Sequence, residues 1–283
     1  MPAVLALLSS VMWGAADFLG GTLTRRAHAV AVVASSQVLS LVVVLPFAAL
    51  TGAFDDPRGY LPWALAAGSI GMVSLIAFYA ALATGTMGVV APIAATGVIV
   101  PVVFGLLGGD RPRAIQLAGV ALAIAGVVLA SGPELRGVET GQARGGARSL
   151  LLAAGAAVGF GLVLWFLAKG GRYSVTMTLL TQRTASLVIA IVLFLTLRTV
   201  GGLTRRDVPL LAVIGLGDAT ANGLFTLASR SSLVSLVAVL GSLYPVVTVL
   251  AARFVHGERL RPVQNAGVVS ALAGVALIAT GGI

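Results

Sequence analysis

The sequence contains no cysteine and few charged residues. Without a thiol the chain cannot form a disulfide, ligate an iron–sulfur cluster or use a cysteine nucleophile. Asp, Glu, Lys and Arg make up 10% of the 283 residues, whereas soluble domains carry about 25%. A chain with so little charge cannot cover its surface with groups that water solvates. Soluble enzymes and nucleic-acid-binding modules are therefore excluded.

Apolar residues are correspondingly abundant, at 58% of the chain with a mean hydropathy of +1.06. Stretches long enough to cross a bilayer, about 20 residues, recur along the whole sequence. No Lys or Arg precedes the first stretch, so we interpret it as a retained span and not as a cleaved signal peptide. We predict an all-α protein of the lipid bilayer with ten transmembrane helices, near Val4–Leu23, Val30–Thr51, Leu61–Ala83, Gly88–Leu107, Pro112–Ser131, Leu150–Lys169, Val175–Arg198, Val208–Leu227, Leu233–Phe254 and Pro262–Gly281.

The two halves of the chain repeat one another. Two arginines and a glutamine, Arg111, Arg113 and Gln116, recur with the same residue types 148 positions later. Pro101 recurs 144 positions later as Pro245. Composition bias alone would match Ala and Gly but would not align these residues in order. The pattern therefore predicts a duplicated unit.

The predicted units are residues 1–131 and 150–283, joined by a linker loop at 132–149. Each unit contains five predicted spans, an odd number, so the second unit must enter the membrane from the opposite side. Inverted repeats of this kind are typical of transporters, whose substrate sites lie near the midplane between the repeats. The fold prediction is therefore two inverted five-helix repeats around a central site.

Short motifs lie within the predicted spans or directly after them. They are Trp13-Gly14, Phe78-Tyr79-Ala80-Ala81-Leu82, Pro101, Gly109-Asp110-Arg111, Gly257-Glu258-Arg259-Leu260, Gly119/Gly126 and Gly267/Gly274. In these motifs the sequence resembles EamA-type members of the drug/metabolite transporter superfamily over nearly its whole length. The resemblance implies a ten-span carrier that exports or exchanges small metabolites such as amino acids. The first half departs from the pattern, with Asp110 in place of Glu and Pro112 in place of Leu.

Three ionisable residues fall inside the predicted spans and away from their ends, where such groups are candidates for function. Asp17 lies one helical turn after Trp13, and we predict that this helix face lines a cavity; hydration near the membrane interface is the alternative. Asp218 lies near the middle of its span, with Asn222 one turn later and Arg183 as its candidate counter-ion. The pair would either lock two spans together or act as a switch that a carboxylated substrate or a proton breaks.

Aromatic residues are further candidates for contact with a substrate. Tyr244 precedes Pro245, where a membrane helix lacks a backbone hydrogen bond, and Tyr79 and Trp165 are candidates for cavity walls. Ordinary packing is the alternative for each of them. We predict that spans 1, 3, 4, 6, 8 and 9 line the cavity.

The sequence offers no catalytic or metal-binding constellation. His28 and His256 lie in predicted loops without an acidic cluster, and Lys169 is the only lysine. We therefore predict no enzyme, no metal and no cofactor. The predicted function is secondary transport of small polar or amphipathic metabolites, such as export of an amino acid or drug, by alternating access across a bacterial inner membrane. Protons are the candidate coupling ion.

Two alternatives remain at this point. A flippase for a lipid or a lipid-linked intermediate would use the same scaffold, and a non-transporting membrane sensor or assembly subunit is less favoured because no soluble output domain is visible. Loops after odd-numbered spans hold 11 basic residues against 6 after even-numbered spans. The positive-inside rule then puts both termini outside, whereas the family resemblance implies both termini in the cytoplasm. Orientation, substrate, transport direction and oligomeric state stay open.

Overall fold

The computed structural model describes residues 1–85, 87–130, 146–197, 201–256 and 262–280, and within them every regular element is helical. The α-helices are α1 Pro2–Leu23, α2 Ala29–Leu50, α3 Leu61–Thr84, α4 Met87–Ala95, α5 Ile99–Leu107, α6 Ala114–Ala130, α7 Gly146–Gly171, α8 Val175–Leu197, α9 Val208–Arg230, α10 Val234–Gly241, α11 Tyr244–His256 and α12 Pro262–Thr280. Two sequence features lie wholly or mostly outside the described residues: the predicted linker at 132–149 and the motif at 257–260.

The lengths of these helices confirm a multi-pass membrane protein. Six helices, α1, α2, α3, α7, α8 and α9, are long and apolar enough to cross a membrane. Four shorter apolar helical segments correspond to the predicted spans 4, 5, 9 and 10. Large apolar side chains stand on the outer surface of the helices, as Val42 and Phe47 do on α2 and Val188 does on α8. A bilayer solvates such a surface, which water would not.

The predicted spans 4 and 9 are each divided into two helices, a feature that the sequence analysis did not predict. A 3₁₀ turn at Thr96–Val98 separates α4 from α5, and α10 ends at Gly241, before α11 begins at Tyr244. Pro101 and Pro245 each lack the N–H that a continuous helix would donate to the carbonyl four residues earlier. In both halves, therefore, a proline near the start of the second helix leaves a carbonyl at the interruption without its helical donor.

Glycines bring the long helices close to these interruptions. A Cβ atom added to Gly161 of α7 would lie 2.2 Å from the Gly97 carbonyl oxygen at the α4–α5 turn. A Cβ atom added to Gly14 of α1 would lie 2.6 Å from the Tyr244 carbonyl oxygen at the start of α11. Any larger residue at either position would force the neighbouring backbone to move. Gly14 and Gly161 thus position α1 and α7 against the interrupted helices.

The remaining Gly-rich motifs hold α6 against α12. A Cβ atom on Gly126 would lie 2.3 Å from the Ala271 backbone nitrogen, and one on Gly274 would lie 2.5 Å from the Ala123 nitrogen. Gly119 and Gly274 approach each other in the same way. Small residues allow this close backbone contact, which replaces the hydrophobic effect as the driving force for helix association in lipid.

Helix pairing interleaves the two halves of the chain. α1 packs against α9, α3 against α7, α2 against α8, and α6 against α12, so each pair joins one helix from before residue 131 with one from after residue 145. The interrupted helices follow the same rule, because α10 and α11 pack on α1 while α4 and α5 pack on α7. The space enclosed by the helices is therefore bounded by both halves.

Polar contacts fix the connections at the helix ends. The Asp110 carboxylate, just after α5, accepts a hydrogen bond of 2.9 Å from the Ser235 backbone N–H in the first turn of α10. Acidic groups are favourable at a helix N-terminus because they satisfy its free N–H groups. Arg26, in the loop after α1, forms an ion pair with Asp207, immediately before α9. Both contacts link the first half of the chain to the second.

Candidate functional site

A cavity lies between the two halves of the chain. Its unfilled space, including the open mouth, amounts to about 760 Å³. Its lining comes from α1, α2, α3, α4, α7, α8, α9, α10 and α11 and the junction between the last two. The sequence analysis predicted the contributions of spans 1, 3, 4, 6, 8 and 9. Spans 2 and 7, which are α2 and α8, were not among the predicted lining spans, although Arg183 of α8 was a candidate site residue.

A cluster of polar side chains from three helices occupies one wall. Arg183 of α8 donates from Nη1 to the Asp218 carboxylate of α9 at 2.6 Å and also to the Gln37 side-chain carbonyl of α2. The Gln37 amide lies 3.3 Å from the same carboxylate. Asn222 donates to the other carboxylate oxygen at 3.1 Å and to the Asp218 backbone carbonyl at 2.7 Å. The predicted Arg183–Asp218 pair is therefore present in the structure.

The guanidinium of Arg183 is almost completely enclosed. Its side chain is 1% exposed, whereas that of Asp218 is 18% exposed. Its Nε and Nη2 atoms are buried without a hydrogen-bond partner. Burying a guanidinium is costly unless a carboxylate and hydrogen bonds compensate, and Asp218 and Gln37 compensate at Nη1 only.

A second set of polar side chains lines the cavity from α1 and α11. Asp17 and Trp13 line the cavity one helical turn apart, and Tyr244 lines it from the start of α11. Asp17 has neither a hydrogen-bond nor an ion-pair partner among the described residues. The Tyr244 hydroxyl is buried and likewise lacks a partner. The Trp13 ring packs 5.8 Å from the ring of Phe225, which fixes it on this wall.

Apolar side chains complete the cavity. They come from the middle of α3 and α7 and are Met72, Leu75, Phe160, Val163 and Leu164. The cavity therefore offers a broad apolar wall between two polar groups, an arrangement that suits a small amphipathic molecule.

The eight candidate residues from the sequence separate into two sets. The cavity is lined by Trp13, Asp17, Arg183, Asp218, Asn222 and Tyr244. Tyr79 is not in the lining: it is 1% exposed, and its hydroxyl contacts the Ala16 carbonyl of α1 at 3.4 Å. Trp165 lies away from the cavity, with its ring 5.4 Å from Phe104 and 4.4 Å from the Lys169 ammonium. The structure thus brings six of the eight together.

Four further polar residues line the cavity that the sequence analysis did not single out. They are Gln37, Gln182, Ser186 and Ser242. The sequence analysis singled out ionisable residues, aromatics and one amide, Asn222, but not the glutamines or serines of the lining. The available signal was a glutamine within an otherwise apolar stretch, since an amide also needs partners in a membrane.

Comparison with known proteins gives both a family and a fold. The profile of the EamA-like transporter family matches residues 1–132 and 147–280. A crystal structure is similar to this chain at a TM-score of 0.80, with 16% identical residues and 98% of each chain covered. At that identity the likeness shows the fold alone. No curated protein matches the sequence.

Proposed function

The chain belongs to the EamA-like transporter family, and on that premise we propose that it is a carrier of small polar or amphipathic metabolites that works by alternating access. The family makes it a membrane transporter of the drug/metabolite type. The observation that carries the proposal is the cavity, because both halves of the chain supply its charged and aromatic lining. A site bounded by two halves can face either side of a membrane as the halves rock against each other.

The helix pairing supports two inverted repeats, residues 1–131 and 150–283, as the moving units. Exchanging the halves converts the α1–α9 contact into the α7–α3 contact, and it leaves the α2–α8 and α6–α12 contacts unchanged. The same exchange places the interruption before Pro101 on the interruption before Pro245. Pseudo-symmetry of this kind gives a transporter two conformations of similar energy that differ in which side is open. The family match over two separate ranges agrees with such a duplication.

The cavity chemistry supports an amphipathic cargo and a coupled cation. Asp17 and Asp218 supply carboxylates, and the α3 and α7 side chains supply an apolar wall. A proton is the candidate coupling ion because both acids face a cavity inside a membrane protein. We place the carrier in a bacterial inner membrane with export as its direction, following the family resemblance. No observation favours the lipid flippase that the sequence left open.

The test compares metabolites in the medium of cells that overexpress the wild-type protein, the Asp218→Asn variant or an empty vector. Untargeted mass spectrometry should find compounds enriched by the wild type and reduced in the variant at matched membrane levels. Asp55→Asn is the matched control, because Asp55 is exposed in the loop after α2. It should export like the wild type. Absence of enrichment by a well-expressed wild type would contradict export.

A further inference from the structure

The charges that line the cavity do not balance. Asp17, Arg183 and Asp218 are the charged side chains in the lining. Arg183 and Asp218 form an ion pair with each other, which leaves Asp17 as an uncompensated carboxylate. An isolated carboxylate in a low-dielectric site is costly, so Asp17 is stabilised either by a bound proton or by another positive charge that enters the cavity.

The charged groups of the lining that are open to the cavity are carboxylates. The two unpaired nitrogens of Arg183 are covered by protein, so an anionic cargo cannot reach them without a rearrangement of the side chain. The Asp218 carboxylate is 18% exposed and Asp17 is half-buried. A molecule that enters the cavity therefore meets carboxylate oxygens before it meets a guanidinium.

The aromatic rings of the lining suit a cationic ligand. Trp13 lies one turn before Asp17, and Phe160 lines the cavity from α7. The face of an aromatic ring attracts a cation, and indole does so most strongly. The apolar side chains of α3 and α7 would cover an uncharged body attached to that cation.

We propose that the cargo carries one positive charge on an apolar body, as a protonated amine or a quaternary ammonium does, and that Asp17 binds this charge. The inference rests on the proposed transport function and names the cargo class of the same cavity. Arg183 and Asp218 neutralise each other, so a single cation makes the charged lining neutral. A cargo with one negative charge would double the imbalance.

The test measures binding to the purified full-length chain in lipid nanodiscs by isothermal titration calorimetry. Three probes share a phenyl-alkyl body: trimethyl(2-phenylethyl)ammonium, neutral 3-phenylpropan-1-ol and anionic 3-phenylpropanoate. The wild type should bind the cation at least about tenfold more tightly than the alcohol, and the anion most weakly. Asp17→Asn, which keeps the side-chain shape, should remove this preference without weakening the binding of the alcohol. Asp55→Asn should bind like the wild type.

The outcomes separate this inference from the transport proposal. Equal affinity for the three probes, or an unchanged preference in Asp17→Asn, would overturn the cation site. Export of neutral or anionic compounds alone in the metabolite comparison would overturn the cargo class while the transport proposal stands. If no probe binds and the wild type acidifies proteoliposomes as it moves a neutral cargo, Asp17 carries the coupling proton and the cargo inference is wrong. Selective cation binding together with export of an amine would support both.

Discussion

At the scale of single residues, Arg183 is the side chain whose surroundings matter most. It is the largest fully buried side chain of the described chain, and its one ion-pair partner is Asp218. A guanidinium in a membrane protein is tolerated when carboxylate and amide oxygens replace its hydration shell. Gln37 and Asp218 supply those oxygens from two different helices. The cluster therefore ties α2, α8 and α9 together as well as shaping the cavity.

Truncation of Asp218 should show how much the stability of the protein depends on the counter-charge to Arg183. Asp218→Ala leaves the buried guanidinium without a counter-charge, and we expect the free energy of unfolding to fall by about 3 kcal/mol. The double variant Arg183→Met/Asp218→Ala should recover part of that loss, because no unpaired charge remains. Reversible unfolding in mixed micelles would measure the three free energies against the wild type. Losses that simply add in the double variant would show that the two residues are not coupled.

At the scale of helices, close backbone contact distinguishes glycines that a larger residue cannot replace from glycines that it can. Gly126 lies against the α12 backbone, with no room for a methyl group. Gly159 meets the Ser74 side chain, but Gly155, one turn earlier on α7, has nothing within 4 Å. Gly155 and Gly159 have the spacing of a small-residue helix contact, but only Gly159 makes such a contact.

This difference predicts opposite effects of the same substitution. Gly126→Ala should destabilise the protein by about 1–3 kcal/mol, because α6 and α12 must separate or shift to admit the methyl group. Gly155→Ala is the matched control and should be neutral or stabilising by up to about 1 kcal/mol, since alanine favours a helix over glycine. Thermal unfolding of purified protein would rank the two variants. A larger loss for Gly155→Ala than for Gly126→Ala would contradict the packing described for α6 and α12.

At the scale of the whole molecule, the cavity exists because the two halves interleave. Neither half alone holds both Asp17 and Asp218, and each interrupted helix packs against a long helix of the other half. Under the proposed mechanism the same lining residues face first one side of the membrane and then the other. Because the chain has no native cysteine, a single introduced cysteine can report this change of side by thiol labelling without background.

Alternating access predicts labelling of one cavity position from both sides. Ser242 lines the cavity, and its hydroxyl donates only to the Val239 carbonyl within its own chain segment. Ser242→Cys in vesicles of known orientation should react with a membrane-impermeant thiosulfonate from either side. Ser36→Cys is the control, because Ser36 makes the same kind of local bond from a buried position outside the lining. Reaction of Ser242→Cys from one side alone, under all cargo and proton gradients, would contradict alternating access.

The sequence by itself determined the class of molecule, because hydrophobic length and composition are local properties. A run of about 20 apolar residues spans a bilayer whatever its neighbours are. The intramembrane acids, and the prolines next to the two interruptions, can likewise be read from the sequence without knowledge of the fold. The spacing Gly97 to Pro101, repeated as Gly241 to Pro245, was a visible signal for the divided helices, since each glycine carbonyl loses its helical donor.

Only the tertiary structure decided which polar groups meet. Gln37 and Arg183 are 146 residues apart and touch because α2 packs on α8, a pairing that no local pattern encodes. Tyr79 and Trp165 match the other candidates in residue type, yet neither lines the cavity: the Tyr79 hydroxyl contacts the Ala16 carbonyl, and the Trp165 ring packs beside Phe104. Helix rotation in lipid depends on close contact between small residues of different helices. The cavity wall is therefore a property of the packed bundle.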